Sequence, residues 1–513
     1  MNNSSISKNI LKNGSIAGIT FVLSTIMSFA VRTFFVKNLG EQYLGLNGVF
    51  SSVIQMLSLT DLGMETAFSF ILYKPIAQND QSSVVKIIRT FKKVYETVGL
   101  LVLGIGLFLI PFLPSIIGNQ GKNLDNVLLI YLLFLANSVC SYFFTYNRTL
   151  LNSDQRNYVI TLTSFWVNLI GNILQITTLI YFKSPVLFAL IMVFTTLTSN
   201  FLINISVKKY YPFVFKTYKK NELKLDNNTK SVLIKNSIGG LSNKIGSMVV
   251  FASDNILISI FVNLSTVGLY ANYTMITNNL SGLVNRMIQP MTASIGKMKE
   301  LSNEKVLDFF EKFNFIVYSI PLFIVPQLFV LLRPFIEWWI GEKYVLTQSI
   351  TILIVANLTL QIFRLPSLTF IDAYGLQWVQ KWKSIFESAV NIALSLFFLI
   401  FFNLGLKGIL LGTIISTLIT VSWYEPYIVF KHGLKKRVRG YIFNYIRGLV
   451  GVSLALGISW FITRELFGSG LLFLFELFFI NLFVSIVVLF IVNIRNNVFK
   501  KLLLTFTRGK LKK

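Results

Sequence analysis

With one cysteine, Cys140, and one histidine, His432, this chain of 513 residues lacks the material for several kinds of chemistry. Disulfide frameworks need paired cysteines, zinc sites need Cys/His clusters, and Ser/His/Asp or Cys/His triads need a histidine held beside a nucleophile and an acid. The Gly-x-x-x-x-Gly-Lys-Ser/Thr phosphate loop is absent, as is any polar segment long enough for a nucleotide-hydrolysing or sugar-transferring domain. No cofactor and no enzymatic chemistry is expected. Charge is scarce, at 13% of residues, and acid is scarcer, with 21 Asp+Glu against 47 Lys+Arg.

What fills the chain is apolar: 54% hydrophobic residues and a mean hydropathy of +0.66. A hydrocarbon core roughly 30 Å thick takes about 20 apolar residues of helix at ~1.5 Å each. Such runs follow one another nearly end to end and lack the alternation of barrel strands. The sequence therefore predicts an all-α integral membrane protein with about fourteen transmembrane helices. The first six are expected at Ser15 to Val36, Leu46 to Leu72, Val94 to Ile117, Val127 to Leu151, Val159 to Phe182 and Val186 to Val207. The next six run Val232 to Phe261, Val267 to Pro290, Phe313 to Ile340, Val345 to Ile371, Ser384 to Phe402 and Leu406 to Val429. Tyr441 to Phe467 and Leu471 to Asn493 complete the set. The polar amino terminus, Met1 to Asn13, runs into a span too long for a signal-peptide core, so the first helix is expected to be retained.

The net charge of +26 would suit a nucleic-acid binder if the charges formed a face, but they sit in short loops between spans. With the amino terminus inside, inner segments hold 35 Lys/Arg and outer loops seven. Positive loop residues mark the cytoplasmic side, so both termini are expected there, with anionic lipid headgroups as the default partner and no nucleic acid.

Short matches recur at a constant offset of 223 residues. Lys12-Asn13 matches Lys235-Asn236, Gly45-Leu46 matches Gly268-Leu269, and Pro111-Phe112 matches Pro334-Phe335. Ile117-Gly118 matches Ile340-Gly341, and Val167-Asn168 matches Val390-Asn391. The expected organisation is a duplicated six-helix unit, 1–207 and 232–440, joined by a basic linker, 208–231. Helices 13 and 14 (441–493) and a basic tail (494–513) lie outside the repeat. Because six is even, the copies are parallel, related by an axis along the membrane normal. The linker either lies on the inner leaflet or is plainly solvated. Two membrane-embedded halves suggest a secondary transporter with substrate bound between them.

Charges inside spans are then the functional candidates, since each costs at least ~2.5 kcal/mol at the bilayer centre unless paired or facing water. Lys244 lies nine residues past Lys235, about 13 Å into its helix, and Arg364 lies eight before Asp372, about 12 Å in. Each either lines a polar cavity or pairs with a buried carboxylate. Arg32, Arg286 and Arg447 lie toward helix ends; snorkelling to an interface is an equal alternative for Arg32 and Arg286 and the favoured reading for Arg447. Asp61 and Glu65 share a helix face, so either a cation sits between them or one is protonated, which is also what ion coupling would need. Asp254 and Glu425 are further cavity carboxylates, with helix-locking salt bridges as the bland reading, whereas Glu387 is expected at an interface. Trp338, Trp339, Trp378, Trp382 and Trp423 fit interfacial anchors, and Gly408 with Gly412 is a close-packing signal.

The stretch Leu39-Gly40, Tyr43-Leu44-Gly45-Leu46, Asp61-Leu62-Gly63 and Leu72-Tyr73-Lys74-Pro75 resembles the start of bacterial polysaccharide-synthesis flippases of the Wzx type. Arg364-Leu365-Pro366, Ala373-Tyr374-Gly375, Asn391, Gly412-Thr413 and Glu425-Pro426 continue the likeness in order. The resemblance implies the fold of the multidrug, oligosaccharidyl-lipid and polysaccharide exporters, two six-helix lobes in a V, often with two extra helices. It also implies the substrate, an undecaprenyl-diphosphate-linked oligosaccharide carried from the inner to the outer leaflet, and work alongside the polymerase and other polysaccharide-assembly proteins. A diphosphate wants Arg or Lys in a water-filled cavity, which makes Arg32, Lys244, Arg286 and Arg364 the candidates. The alternatives are a cation-coupled drug exporter of the same fold, a peptidoglycan-precursor flippase and, more remotely, a membrane polymerase.

Overall fold

The computed structural model describes residues 3–58, 64–216, 252–298, 303–436, 438–466 and 468–510. These form helices joined by short turns, with no strand among them. Nine of the described helices are long and apolar enough to cross a bilayer, eleven if each of two bent pairs counts as one span. The chain is a multi-pass, all-α membrane protein.

Its residues gather into two compact units, Met1–Gly268 and Leu269–Lys513. The first holds α1 (Asn3–Leu57), α2 (Met64–Ala77), α3 (Gln81–Phe108), α4 (Val127–Tyr142), α5 (Thr145–Ser153), α6 (Asn157–Tyr181), α7 (Pro185–Tyr210) and α8 (Ala252–Phe261), and ends in the first turn of α9 (Leu264–Ile288). The second unit holds the rest of α9 and then α10 (Met291–Met298), α11 (Asn303–Ile340), α12 (Gln348–Tyr374), α13 (Lys383–Ile400), α14 (Leu406–Thr420) and α15 (Tyr424–Ile428). It closes with α16 (Arg439–Thr463), α17 (Gly470–Asn493) and α18 (Asn497–Lys510). Each of the fourteen expected spans has a helical counterpart, described only in part for the second and seventh. The described part of the seventh, α8, packs within the first unit, although the linker had been expected to divide the chain before it.

Where the sequence predicts a loop between Val36 and Leu46, α1 runs through and breaks at one residue, Gly40, with φ 80° and ψ −177°. A Cβ would be strained there, so a glycine turns the chain where a loop was expected. The fourth span also breaks, α4 and α5 meeting at 43° across Phe143 and a left-handed Phe144. In α11, Pro321, Pro326 and Pro334 leave the helix continuous, as neighbouring helices in a membrane allow.

Polarity runs opposite to that of a water-soluble core. Phe182, Phe401 and Phe483 stand about 70% exposed, whereas Asn147, Asn272, Asn391 and Glu425 are fully enclosed. Such a surface suits hydrocarbon, and buried amides suit helix pairing there. In the second unit α13 packs closely on α14, where a Cβ on Gly412 would come within 2.7 Å of the Ser395 backbone nitrogen. In the first unit a Cβ on Gly45 would collide with the carbonyl oxygen of Leu264, and one on Gly268 with that of Glu41. Both the two glycines and the two carbonyls lie 223 residues apart.

At the start of the linker, as far as Lys216, Tyr211 and Val214 are buried while Lys208, Lys209, Pro212 and Lys216 are exposed. Arg156 pairs with Asp154 at 2.8 Å and lies 4.5 Å from the Tyr210 ring, while the Tyr211 hydroxyl donates to Asp154. Burial and that hydrogen bond push the Tyr211 hydroxyl well above its ordinary pKa. Arg89 donates to the Lys216 carbonyl at 2.6 Å.

Candidate functional site

Among the described residues the densest charge cluster lies in the second unit. Arg364, in the middle of α12, offers its guanidinium to two carboxylates: Nη2 and Nε reach Glu425 Oε1 and Oε2 at 2.7 and 3.1 Å, and Nη1 reaches Glu387 Oε1 at 3.0 Å. Lys383, the first residue of α13, donates to Glu425 Oε1 at 2.6 Å. Glu425, Glu387 and Lys383 are all buried. Two cations and two carboxylates give a net charge of zero, and the bidentate fork fixes the geometry between three helices. Asn391 continues the polar seam by donating to Thr413 Oγ1 at 3.0 Å.

Of the two readings open for Arg364, the structure provides the carboxylate pair. Arg364 and Glu425 were singled out from sequence and meet directly. Glu387 was expected at an interface but is 3% exposed and paired, because it lies on the one face of α13 that is buried, with Lys383, Ser384, Ser388 and Asn391. Lys383, counted from sequence among loop cations, was missed. Its signal was its position, one residue before an expected span that also carries Glu387.

In the first unit Arg32 lies on α1 with Nη1 buried and without a hydrogen-bond partner among the described residues. Asp254, on α8, is 6% exposed and its Oδ1 also lacks a partner there. The neighbouring Asn255 ties α8 to α1 by donating to Ser52 Oγ at 3.0 Å. Arg286, near the end of α9, is exposed. Lys244 and Asp61 lie outside the described residues, and of Glu65 only the backbone, in α2, is described.

Arg148 was also missed, though it falls within the expected fourth span. It sits on α5 and reaches Asn200 Oδ1 at 3.0 Å, Ser199 Oγ at 3.0 Å and Ser164 Oγ at 3.4 Å. Asn200 in turn donates to the carbonyls of Cys140 and Phe143, both at 3.0 Å. Those are the acceptors that the break between α4 and α5 releases, so the pair repairs the broken helix. Among the described residues no group of three or more His, Cys, Asp or Glu could hold a metal ion.

Solved structures share this architecture. The lipid II flippase MurJ in an inward closed conformation aligns with a TM-score of 0.66 at 16% identity, covering 95% of this chain and 99% of that one. An inward-facing multidrug resistance MATE family transporter of the MOP superfamily gives 0.62 at 14%, covering 80% and 95%. A MOP superfamily transporter from Pyrococcus furiosus gives 0.55 at 15%, covering 84% and 97%. At these identities the likeness establishes the fold. No curated protein matches the sequence. Residues 10–296 match the family described as polysaccharide biosynthesis protein, more than half of the chain, and the protein belongs to that family.

Proposed function

We propose that the protein flips an undecaprenyl-diphosphate-linked oligosaccharide from the cytoplasmic to the outer leaflet of a bacterial cell membrane, with both termini cytoplasmic. Membership of a polysaccharide biosynthesis family, on a chain with a transporter fold, carries the reading. Arg32 supports an anionic substrate, since a buried guanidinium nitrogen short of acceptors suits a diphosphate. The reciprocal fit of Gly45 and Gly268 supports the duplication that such a transporter uses for alternating access. The substrate's lipid tail stays in the bilayer while sugar and diphosphate cross, and no bond is made or broken.

Asp254, with a buried and unpartnered carboxylate oxygen, favours a second reading, a cation-coupled exporter of the same fold. In the flippase reading the same group serves ion coupling. One experiment separates the two. Removing the protein should make the lipid-linked oligosaccharide accumulate where only inside-out vesicles expose it to an impermeant sugar-modifying reagent. Unchanged distribution between the leaflets, together with increased sensitivity to organic cations, would replace the flippase with the exporter.

A further inference from the structure

Glu476 is the one charged residue of α17, and five apolar residues, Leu471 to Phe475, separate it from Gly470 at the start of the helix. With 24 residues α17 is about 36 Å long against a hydrocarbon core of roughly 30 Å, and Glu476 lies about 9 Å from its start, so the carboxyl group sits inside the core. It is exposed, and no described residue pairs with it. Ionisable groups within spans almost always face the protein interior or a water-filled cavity. Glu476 faces outward.

The rotation of α17 is fixed from the other side. Leu477, Asn481, Val484, Ser485 and Val488 are buried, and Gln327 on α11 donates to the Phe478 carbonyl at 2.9 Å. The outward face presents Leu472, Glu476, Phe479, Phe483, Ile486 and Phe490, at intervals alternating between four residues and three. Its five apolar members are between 40 and 86% exposed. Glu476 stands seven residues, about two turns, before Phe483, so both point the same way. Alternating intervals of four and three are the spacing by which two helices pack side by side, and a polar residue within such a seam sets its register. Lipid tails demand neither the spacing nor the acid, since any apolar face satisfies them.

What meets this face must answer a carboxyl group at that depth. Copies of one chain enter a membrane in the same direction, so across a twofold axis along the membrane normal each residue of α17 meets its own counterpart at equal depth. A carboxyl group that carries its proton is donor and acceptor at once, so Glu476 suits its counterpart, and an interhelical hydrogen bond of that kind favours association in lipid.

We propose that α17 is the contact face of a parallel dimer, in which two copies pack along Leu472, Phe479, Phe483, Ile486 and Phe490 and the two Glu476 side chains share a hydrogen bond. The contact stands whether or not the transport reading does. Full-length chain in a Cys140→Ser background is given single cysteines by Phe479→Cys or Phe483→Cys on the seam, or by Ile173→Cys on α6, which is also exposed. Native membranes are oxidised, and the protein is separated without reductant. Both seam cysteines should yield a disulfide-linked species of twice the chain's mass, and Ile173→Cys should not. At matched protein level Glu476→Leu should lower the ratio of linked to single chains for Phe483→Cys by about threefold to tenfold, as expected for loss of one interhelical hydrogen bond. Glu476→Gln, whose amide also donates and accepts, should keep most of the linked species. Seam cysteines that link no better than Ile173→Cys, that link to a different protein instead of a second copy, or whose linkage is unchanged by Glu476→Leu overturn the dimer.

Discussion

Arg364 holds two carboxylates at once, so its replacement has a consequence that can be worked out. Arg364→Gln removes the three hydrogen bonds that bind α12 to Glu387 and Glu425. Glu425 keeps Lys383, Glu387 loses its ion pair, and the cluster changes from neutral to a net charge of −1. Breaking a buried pair by removing one partner costs about 3–5 kcal/mol, because a charge is left enclosed without compensation. Glu387→Gln leaves the opposite imbalance, +1. Combining the two restores neutrality, so the double variant should be less destabilised than the sum of the singles, by a coupling of about 0.5–3 kcal/mol.

Thermal unfolding in detergent, followed at matched concentrations of wild type, both singles and the double, reads this directly. Each single should unfold at lower temperature and accumulate less in the membrane, and the double should recover part of both. Flipping measured at matched protein level should then follow stability. If Arg364→Gln unfolds like the wild type yet loses all transport, the lock is not what Arg364 supplies. The guanidinium would then act on substrate, and the diphosphate role would return to it.

Other outcomes test other parts of the molecule. Gly45→Ala and Gly268→Ala each push a methyl group into a backbone carbonyl and should each cost about 1–3 kcal/mol, whereas Gly104→Ala, with open space around it, should be neutral or stabilising in the same melt. Asn200→Ala strands the Cys140 and Phe143 carbonyls and leaves Arg148 only its serine partners, and should cost about 1–3 kcal/mol of stability, read as a lower unfolding temperature; an unchanged melt would deny Asn200 its repairing role. Asp80 caps α3 through the Ser83 nitrogen at 3.0 Å, and its hydrogen bonds to Ser83 hold its carboxyl below the usual range. The cap's contribution is therefore present above the unfolded pKa of about 3.9 and fades as pH falls through the lower folded value, a loss that Asp80→Asn should blunt in a pH series of melts. In a Cys140→Ser background, cysteines at Ser82, Asn227 and Lys510 should resist an impermeant thiol reagent in intact cells, and those at Asn119 or Asn403 should react; labelling at Asn227 would reverse the orientation.

The helices were legible because a bilayer sets the length of an apolar run, and no tertiary knowledge is needed to count to about 20. Their interruptions were not. Gly40 is one glycine among 31, and nothing in its neighbours says that it alone turns the chain. Phe144 adopts a positive φ with no glycine or proline to announce it, and the Asn200 that repairs the break lies 57 residues from Phe143. Charge shows the same limit more sharply. Composition marks Arg364 and Glu425 as costly in a membrane, but 61 residues separate them, and only the packing of α12, α13 and α15 makes them a pair. Cost alone therefore cannot distinguish a lock from a binding group, since both require a polar surrounding. What distinguishes them is whether the protein itself satisfies the charge. Arg364 is satisfied by Glu387 and Glu425, whereas Arg32 keeps a buried nitrogen without an acceptor among the described residues, and it is on that difference that the proposed phosphate role of Arg32 rests.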